Sequence, residues 1–238
     1  MIIERIAKAI IKQDWLVIMI EVMVVVVGIF IGLQVDDWRT AHENKRFENQ
    51  YITHLHDELS LMIIRDKTVV KRSNKAIKLL EEAGLYFSQS SDTLAMTPEH
   101  CFAIARSHIF ADAIESPAVI KELLVTGRIM LISKDALRAS IVNFDSSIEA
   151  YKQLRDDIQQ DRIVLSRRHS ELISMGFGWD KTECNFERMA KHRGFLNEFY
   201  DNMLRYLTYS RVVILEQQIK RVELHKLLDK ELNITHSE

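Results

Sequence analysis

The stretch EVMVVVVGIFIGLQVDDW, residues 21–38, opens on a carboxylate, runs apolar, and closes on two acids and a tryptophan. It sits inside a longer apolar block, residues 15–35. At 1.5 Å per residue, residues 15–33 rise roughly 28 Å, the thickness of a bilayer's hydrocarbon core. The side chains are apolar on every face, whereas a core helix of a soluble domain needs only one apolar stripe. The run is too long for a signal-peptide core, and Gln34-Val35-Asp36 is not a small-x-small cleavage site. The block therefore predicts one retained transmembrane helix over residues 15–35, with the lipid bilayer as its first partner.

Residues 1–14 precede it. Ile2, Ile3, Ile6, Ile10 and Ile11 recur at helical spacing, with Arg5, Lys8 and Lys12 on the other side. This predicts a short interfacial amphipathic helix, its basic side toward anionic headgroups. Arg39, Lys45 and Arg46 follow the span, so the flanking basic residues tie. The closeness of the first arm's basic residues and its amphipathic character tip the balance toward an inside N-terminus and an outside C-terminal domain.

One face of the span is unlike the rest. At 100° per residue, Gly28 and Gly32 each lie about 20° from Glu21 around the helix, on opposite sides, with Val25 and Val35 flanking them. Gly28-Ile-Phe-Ile-Gly32 is a GxxxG, which lets helix backbones approach closely. A small-residue face bearing an acid is poorly suited to lipid. An acid at the bilayer centre costs about 2.5–3.5 kcal/mol, and Glu21 lies only partway in. The expected role of Glu21, Val25, Gly28, Gly32 and Val35 is a self-association face. A pore lined by a ring of Glu21 is the sharper alternative.

Beyond the span the chain reads as all-α. Only 7 glycines and 2 prolines occur in 238 residues, too few for a turn-rich β fold. Ile52, Leu55, Leu59, Met62, Val69, Ala76, Leu80, Ala83 and Phe87 follow a 3-4 spacing, interrupted by Asp66 and Ser73. They predict a long helix over about 38–87, continuous with the span. Thr97-Pro98-Glu99 and Ser116-Pro117 each look like helix starts, predicting short helices over about 98–113 and 117–126, the second closed by Gly127. From residue 134, after a Ser133 cap, Leu137, Phe144, Tyr151, Ile158, Leu165 and Leu172 recur every seven residues. Ile141, Ile148, Arg155, Arg162 and His169 fill the second seam position, giving a helix to about 173. A loop over 175–185 and a last helix over about 195–232 complete an antiparallel bundle spanning residues 36–238.

Catalytic motifs are missing from the sequence: no HExxH, P-loop, GxSxG or GxGxxG after a strand. No enzyme activity and no cofactor is expected. His54, Asp57 and Glu58 share a helix face, and His108 and Asp112 are four apart, but such groupings arise readily in charge-rich helices, so no metal site is assigned. Cys101 and Cys184 permit one disulfide without implying it; two ordinary thiols are the default. The net charge of −2 and dispersed basic residues give no reason to expect a nucleic-acid partner.

The order Glu21, valine-rich run, Gly28-Ile29, then Gly32-Leu33-Gln34-Val35-Asp36-Asp37-Trp38 resembles a family of bacterial single-span membrane proteins, a domain of unknown function. Its members carry Gly-Glu, an aliphatic run, Gly-Ile and Ala-Leu-Gln-Ile-Asn-Asn-Trp. Glu21, Gly28, Leu33, Gln34 and Trp38 match, while Ile20 stands where the family usually has glycine. Residues 116–138, SPAVIKELLVTGRIMLISKDALR, resemble the family's helix, glycine, Leu-Ile and capped helix ending in Leu-Arg. The resemblance implies the same architecture in a bacterial inner membrane, with Gln34 and Trp38 as signature positions. It implies no chemistry. Three functions remain open: a homo-oligomeric sensor or scaffold, an ion- or proton-conducting oligomer, and an accessory subunit whose partner is another membrane protein.

Overall fold

A computed structural model of the chain describes residues 3–5, 15–88, 94–110, 114–177 and 181–235. The expected interfacial helix falls mostly outside them; residues 3–5 are helical. The first element, α1 (Trp15–Phe87), carries both the apolar block and the first seam in one helix. Among the described residues it is the one helix long and apolar enough to cross a membrane. The chain divides into two compact units, Met1–Tyr51 and Ile52–Glu238.

In the second unit follow α2 (Pro98–Ala105), α3 (Ala118–Val125), a 3-10 turn (Arg128–Leu131) and α4 (Asp135–Gln160). Next come α5 (Leu165–Arg168), the strands β1 (Ile173–Ser174) and β2 (Glu183–Cys184), and α6 (Phe186–Lys191). The chain closes with α7 (Arg193–Thr208), a π-helical segment (Tyr209–Leu215) and α8 (Glu216–Leu232). The fold is all-α, with the strands confined to a two-stranded antiparallel hairpin that pairs Ile173 with Cys184.

Two apolar cores result. In one, Ile52, Leu55 and Leu59 of α1 meet Ile141, Phe144 and Ile148 of α4 and Leu224 and Leu228 of α8. In the other, Leu80, Ala83 and Phe87 meet Ile104, Leu165, Leu172, Phe195 and Phe199. Phe87 packs edge-on against Phe195 and Phe199, with ring centroids 5.9 and 5.2 Å away. The seam residues of α4 are buried as the seven-residue repeat requires.

Asp66 and Ser73, which interrupt the first seam, are matched polar layers. Asp66 pairs with Arg221, which is fully buried and also donates to the Glu115 carbonyl at 2.8 Å. Ser73 donates to Ser210 Oγ at 2.6 Å. Between them and beyond, His56 meets Asp229, and Tyr200 donates its hydroxyl to the Gly84 carbonyl. Partners rise along α1 as they fall along α7 and α8, which defines an antiparallel register. At Gly84 a Cβ would lie 3.3 Å from Met203 Sδ, so glycine permits this close approach. The π segment adds backbone to the last helix and turns Tyr209, Ser210, Val213 and Ile214 all inward.

Several expectations need correction. The helix expected over about 134–173, α4, stops at Gln160. Asn202 takes over there: its side chain accepts from Ile163 N–H at 3.2 Å and donates to Ile163 C=O at 2.6 Å, satisfying a backbone that has left the helix. Leu165 and Leu172 keep their burial, on α5 and just before β1. Lys134, not Ser133, occupies the N-cap of α4. The short helix from Pro98 ends at Ala105, and the loop over 175–185 contains β2.

Ser116 does not cap α3 either. It donates to Asp145 at 2.6 Å, and Pro117 is the N-cap. The cap comes from α1 instead: Glu58 accepts from the N–H groups of Ala118 (2.7 Å) and Val119 (3.1 Å), placing a carboxylate at the helix's positive end. Gly127 ends α3 at φ +70°, as expected. Thr97 starts α2 reciprocally with His100, its N–H donating to His100 Nδ1 at 3.2 Å while His100 Nε2 faces Glu82 at 3.0 Å.

Cys101 and Cys184 are joined in a disulfide, with Cα atoms 5.5 Å apart and 83 residues between them in sequence. It ties α2 to β2. Closing a loop of that length stabilises by about 4–5 kcal/mol in the chain-entropy picture.

The buried pair gives the first prediction. Arg221→Met alone should cost about 3–5 kcal/mol, because it strands the Asp66 carboxylate in the core. Combining it with Asp66→Leu should return most of that loss. Urea unfolding of the two single variants and the double variant measures the coupling directly; additive losses would remove the pairing.

Candidate functional site

Glu21, Val25, Gly28, Gly32 and Val35 all lie on α1, and no other described element covers them. Val25 and Val35 are exposed, and a Cβ placed on Gly28 or Gly32 would meet nothing within 4 Å. Glu21 is half-buried, and its Oε2 is enclosed without a hydrogen-bond partner among the described residues. Gln34 is exposed, and Trp38 stacks on His42 with centroids 5.9 Å apart. Asp36 pairs with Arg39 at 3.2 Å, in full solvent contact, where such a pair stabilises little.

A groove of about 910 Å³ opens in the helical unit. Its floor is apolar, with Leu79, Phe102 and Ile109, and its rim carries Arg72, Arg106 and Lys75, the last paired with Glu99 at 3.2 Å. Arg72 and Lys75 come from α1 and Phe102 from α2, so the α1–α2 packing sets its width. Beyond the rim, His108 lies near Arg106, Arg162 and Arg167. Burial, and then those guanidinium groups, push its pKa below the ordinary value of 6.5. Its Nδ1 is enclosed with no hydrogen-bond partner among the described residues. An apolar floor with a cationic rim has the chemistry to hold an amphipathic anion. Asp112, the other half of the expected His108 pair, lies outside the described residues.

His54, Asp57 and Glu58, which share a helix face in the sequence, turn to different surroundings. His54 is exposed, Glu58 is committed to α3, and Asp57 turns to its neighbour, with Asp57 Oδ1 3.2 Å from His56 Nδ1. His56 is instead the residue that gathers others. Its Nε2 lies 3.0 Å from Asp229 Oδ1, and its ring centroid is 4.4 Å from that of His225. His225 Nδ1 lies 3.2 Å from Asp229 Oδ2, and His225 Nε2 lies 2.7 Å from Ser60 Oγ. The rings come from α1 and α8, whose packing fixes them. His225 and Asp229 are four apart on one helix, which was visible in the sequence; their meeting with a histidine 173 positions from Asp229 was not.

Ser60, His225 and Asp229 follow the hydrogen-bond order of an acyl-transfer triad. Ser60 nevertheless lies in the interior of α1, where backbone N–H groups serve the helix and none is left to stabilise an oxyanion. Its own hydroxyl donates to the His56 carbonyl at 2.9 Å. A second grouping, His169, Glu171 and His192, is looser: His169 Nε2 meets Glu198 at 2.8 Å, and Glu171 is 3.6 Å from the other nitrogen.

No protein-family model, no curated protein and no solved structure matches this chain.

His108 sets a pH dependence. Its folded pKa is lowered, so below about pH 6.5 the unfolded chain binds a proton more readily than the folded one, and acid favours unfolding. Stability from this group is complete above its unfolded pKa and declines as pH falls. His108→Gln should flatten the fall in Tm between about pH 7 and pH 5; thermal melts of both proteins across that range check it, and parallel curves would exclude His108 as the source.

Proposed function

We propose that this chain is a non-enzymatic single-pass protein of the bacterial inner membrane, with a cytoplasmic N-terminus and a periplasmic helical domain that senses or scaffolds. It assembles with further copies of itself through Glu21, Val25, Gly28, Gly32 and Val35. The observation that carries the reading is the Glu21 Oε2, enclosed with no hydrogen-bond partner among the described residues, on the same face as two uncovered glycines. In lipid such an oxygen has no water to turn to, and a second helix approaching over Gly28 and Gly32 supplies donors and close packing.

The Cys101–Cys184 disulfide supports the placement of the domain, because structural disulfides persist outside the reducing cytoplasm. The groove beneath Arg72, Lys75 and Arg106 gives the sensing reading a ligand chemistry, an amphipathic anion.

Gly28→Ile combined with Gly32→Ile should raise the dissociation constant of the oligomer at least about tenfold, since closely packed backbones are pushed apart. Energy transfer between labelled copies in bilayers measures it, and unchanged assembly would remove the face. For topology, Cys184, half-buried where Cys101 is buried, should react with a membrane-impermeant maleimide after mild reduction of intact spheroplasts. Labelling that requires lysis would put the domain in the cytoplasm.

A further inference from the structure

Two histidines converge on one carboxylate. His56 Nε2 lies 3.0 Å from Asp229 Oδ1, and His225 Nδ1 lies 3.2 Å from Asp229 Oδ2. Each ring turns its other nitrogen to an oxygen: His56 Nδ1 is 3.2 Å from Asp57 Oδ1, and His225 Nε2 is 2.7 Å from Ser60 Oγ.

His56 Nε2, His225 Nδ1 and Asp229 thus bring three ligand atoms of metal-binding type to one place, in side chains about nine-tenths buried, with the two rings 4.4 Å apart. We propose that His56 Nε2, His225 Nδ1 and the Asp229 carboxylate form a binding site for a divalent first-row transition ion of the zinc class.

The geometry suits it. Zinc binds nitrogen and oxygen at about 2.0–2.2 Å, which puts ligand atoms of a tetrahedral site about 3.3 Å apart. Here the nitrogen–oxygen separations are 3.0 and 3.2 Å, and one ligand atom from each residue lies within 4.8 Å of the others. Two imidazoles and a carboxylate match zinc, cobalt, nickel or copper better than calcium or magnesium. The outer contacts also fit: a metal-bound histidine characteristically donates its second nitrogen's proton, as His56 does to Asp57 and His225 to Ser60. The ligands come from the packed helices α1 and α8, so the site is preorganised. It is slightly open to solvent, leaving room for water as a fourth ligand. His169 makes a weaker candidate, since its second carboxylate is 3.6 Å away on the exposed Glu171.

The site does not depend on the membrane reading, and it is tested on the full chain in detergent micelles after chelator treatment. Titration with Co2+ alone should give one equivalent per chain, with the visible absorption of a tetrahedral nitrogen–oxygen site, displaced by Zn2+. Affinity should fall with acidification, because protons compete for the same nitrogens. Asp229→Asn and His225→Gln should each weaken binding at least about a hundredfold, and Ser60→Ala, outside the ligand set, by about ten- to a hundredfold. His169→Gln should leave binding unchanged. Should the ligand variants unfold, the wild-type chain still decides: Co2+ should shift the ring resonances of two histidines, identified through Ser60→Ala. Absence of saturable uptake by the wild-type chain would overturn the proposal and leave the cluster holding protons. So would uptake that survives Asp229→Asn.

Discussion

The pairing of Asp66 with Arg221 fixes how α1 runs against the last helix. Leucine and isoleucine tolerate a slip of one helical turn, because one apolar layer resembles the next. A buried guanidinium does not: any other register leaves two charges in the core without partners, a penalty of several kcal/mol. The matched layers on either side follow from it, Ser73 with Ser210 and His56 with Asp229. The π segment fits this constraint. Tyr209–Leu215 turns four of its seven residues into the core while Ser210 reaches Ser73.

Sequence periodicity carried much of this architecture. The long helices were legible because the apolar residues repeat at three and four, and the candidate span at the start of α1 because apolar residues cover every face. Gly127 was legible because few residues other than glycine adopt a left-handed backbone after a helix. What escaped detection depended on residues far away in the chain. The end of α4 is set by the side-chain amide of Asn202, and nothing near Gln160 announces it. The cap of α3 is Glu58, some sixty positions earlier, so Ser116 looked like the cap and was not. A hairpin with two-residue strands has too little alternation to stand out.

The histidine cluster illustrates the same limit. The grouping of His54 with Asp57 and Glu58 considered only one helix. Asp66 was visible as an interruption of a seam, and such an interruption is itself a signal: a buried acid requires a distant base. Arg221 answers it, and the register the two define brings His225 and Asp229 beside His56. The disulfide was legible only as a possibility, because spacing alone says nothing of proximity.

The distances along the chain between these partners have a consequence for biosynthesis. Asp66 and Arg221 are 155 residues apart, and Ser73 and Ser210 are 137 apart. At about 5–20 residues per second, α1 waits on the order of ten seconds for the helix that completes its core. Through that interval Ile52, Leu55 and Leu59 have no α8 to cover them, and the charge at Asp66 has no guanidinium. Cys184 is synthesised before any of α8, so oxidation can clasp α2 to the hairpin while the largest interface is still missing. The nascent domain is thus latched at one end before it is closed at the other, and its last helix must dock onto a partner already held in place.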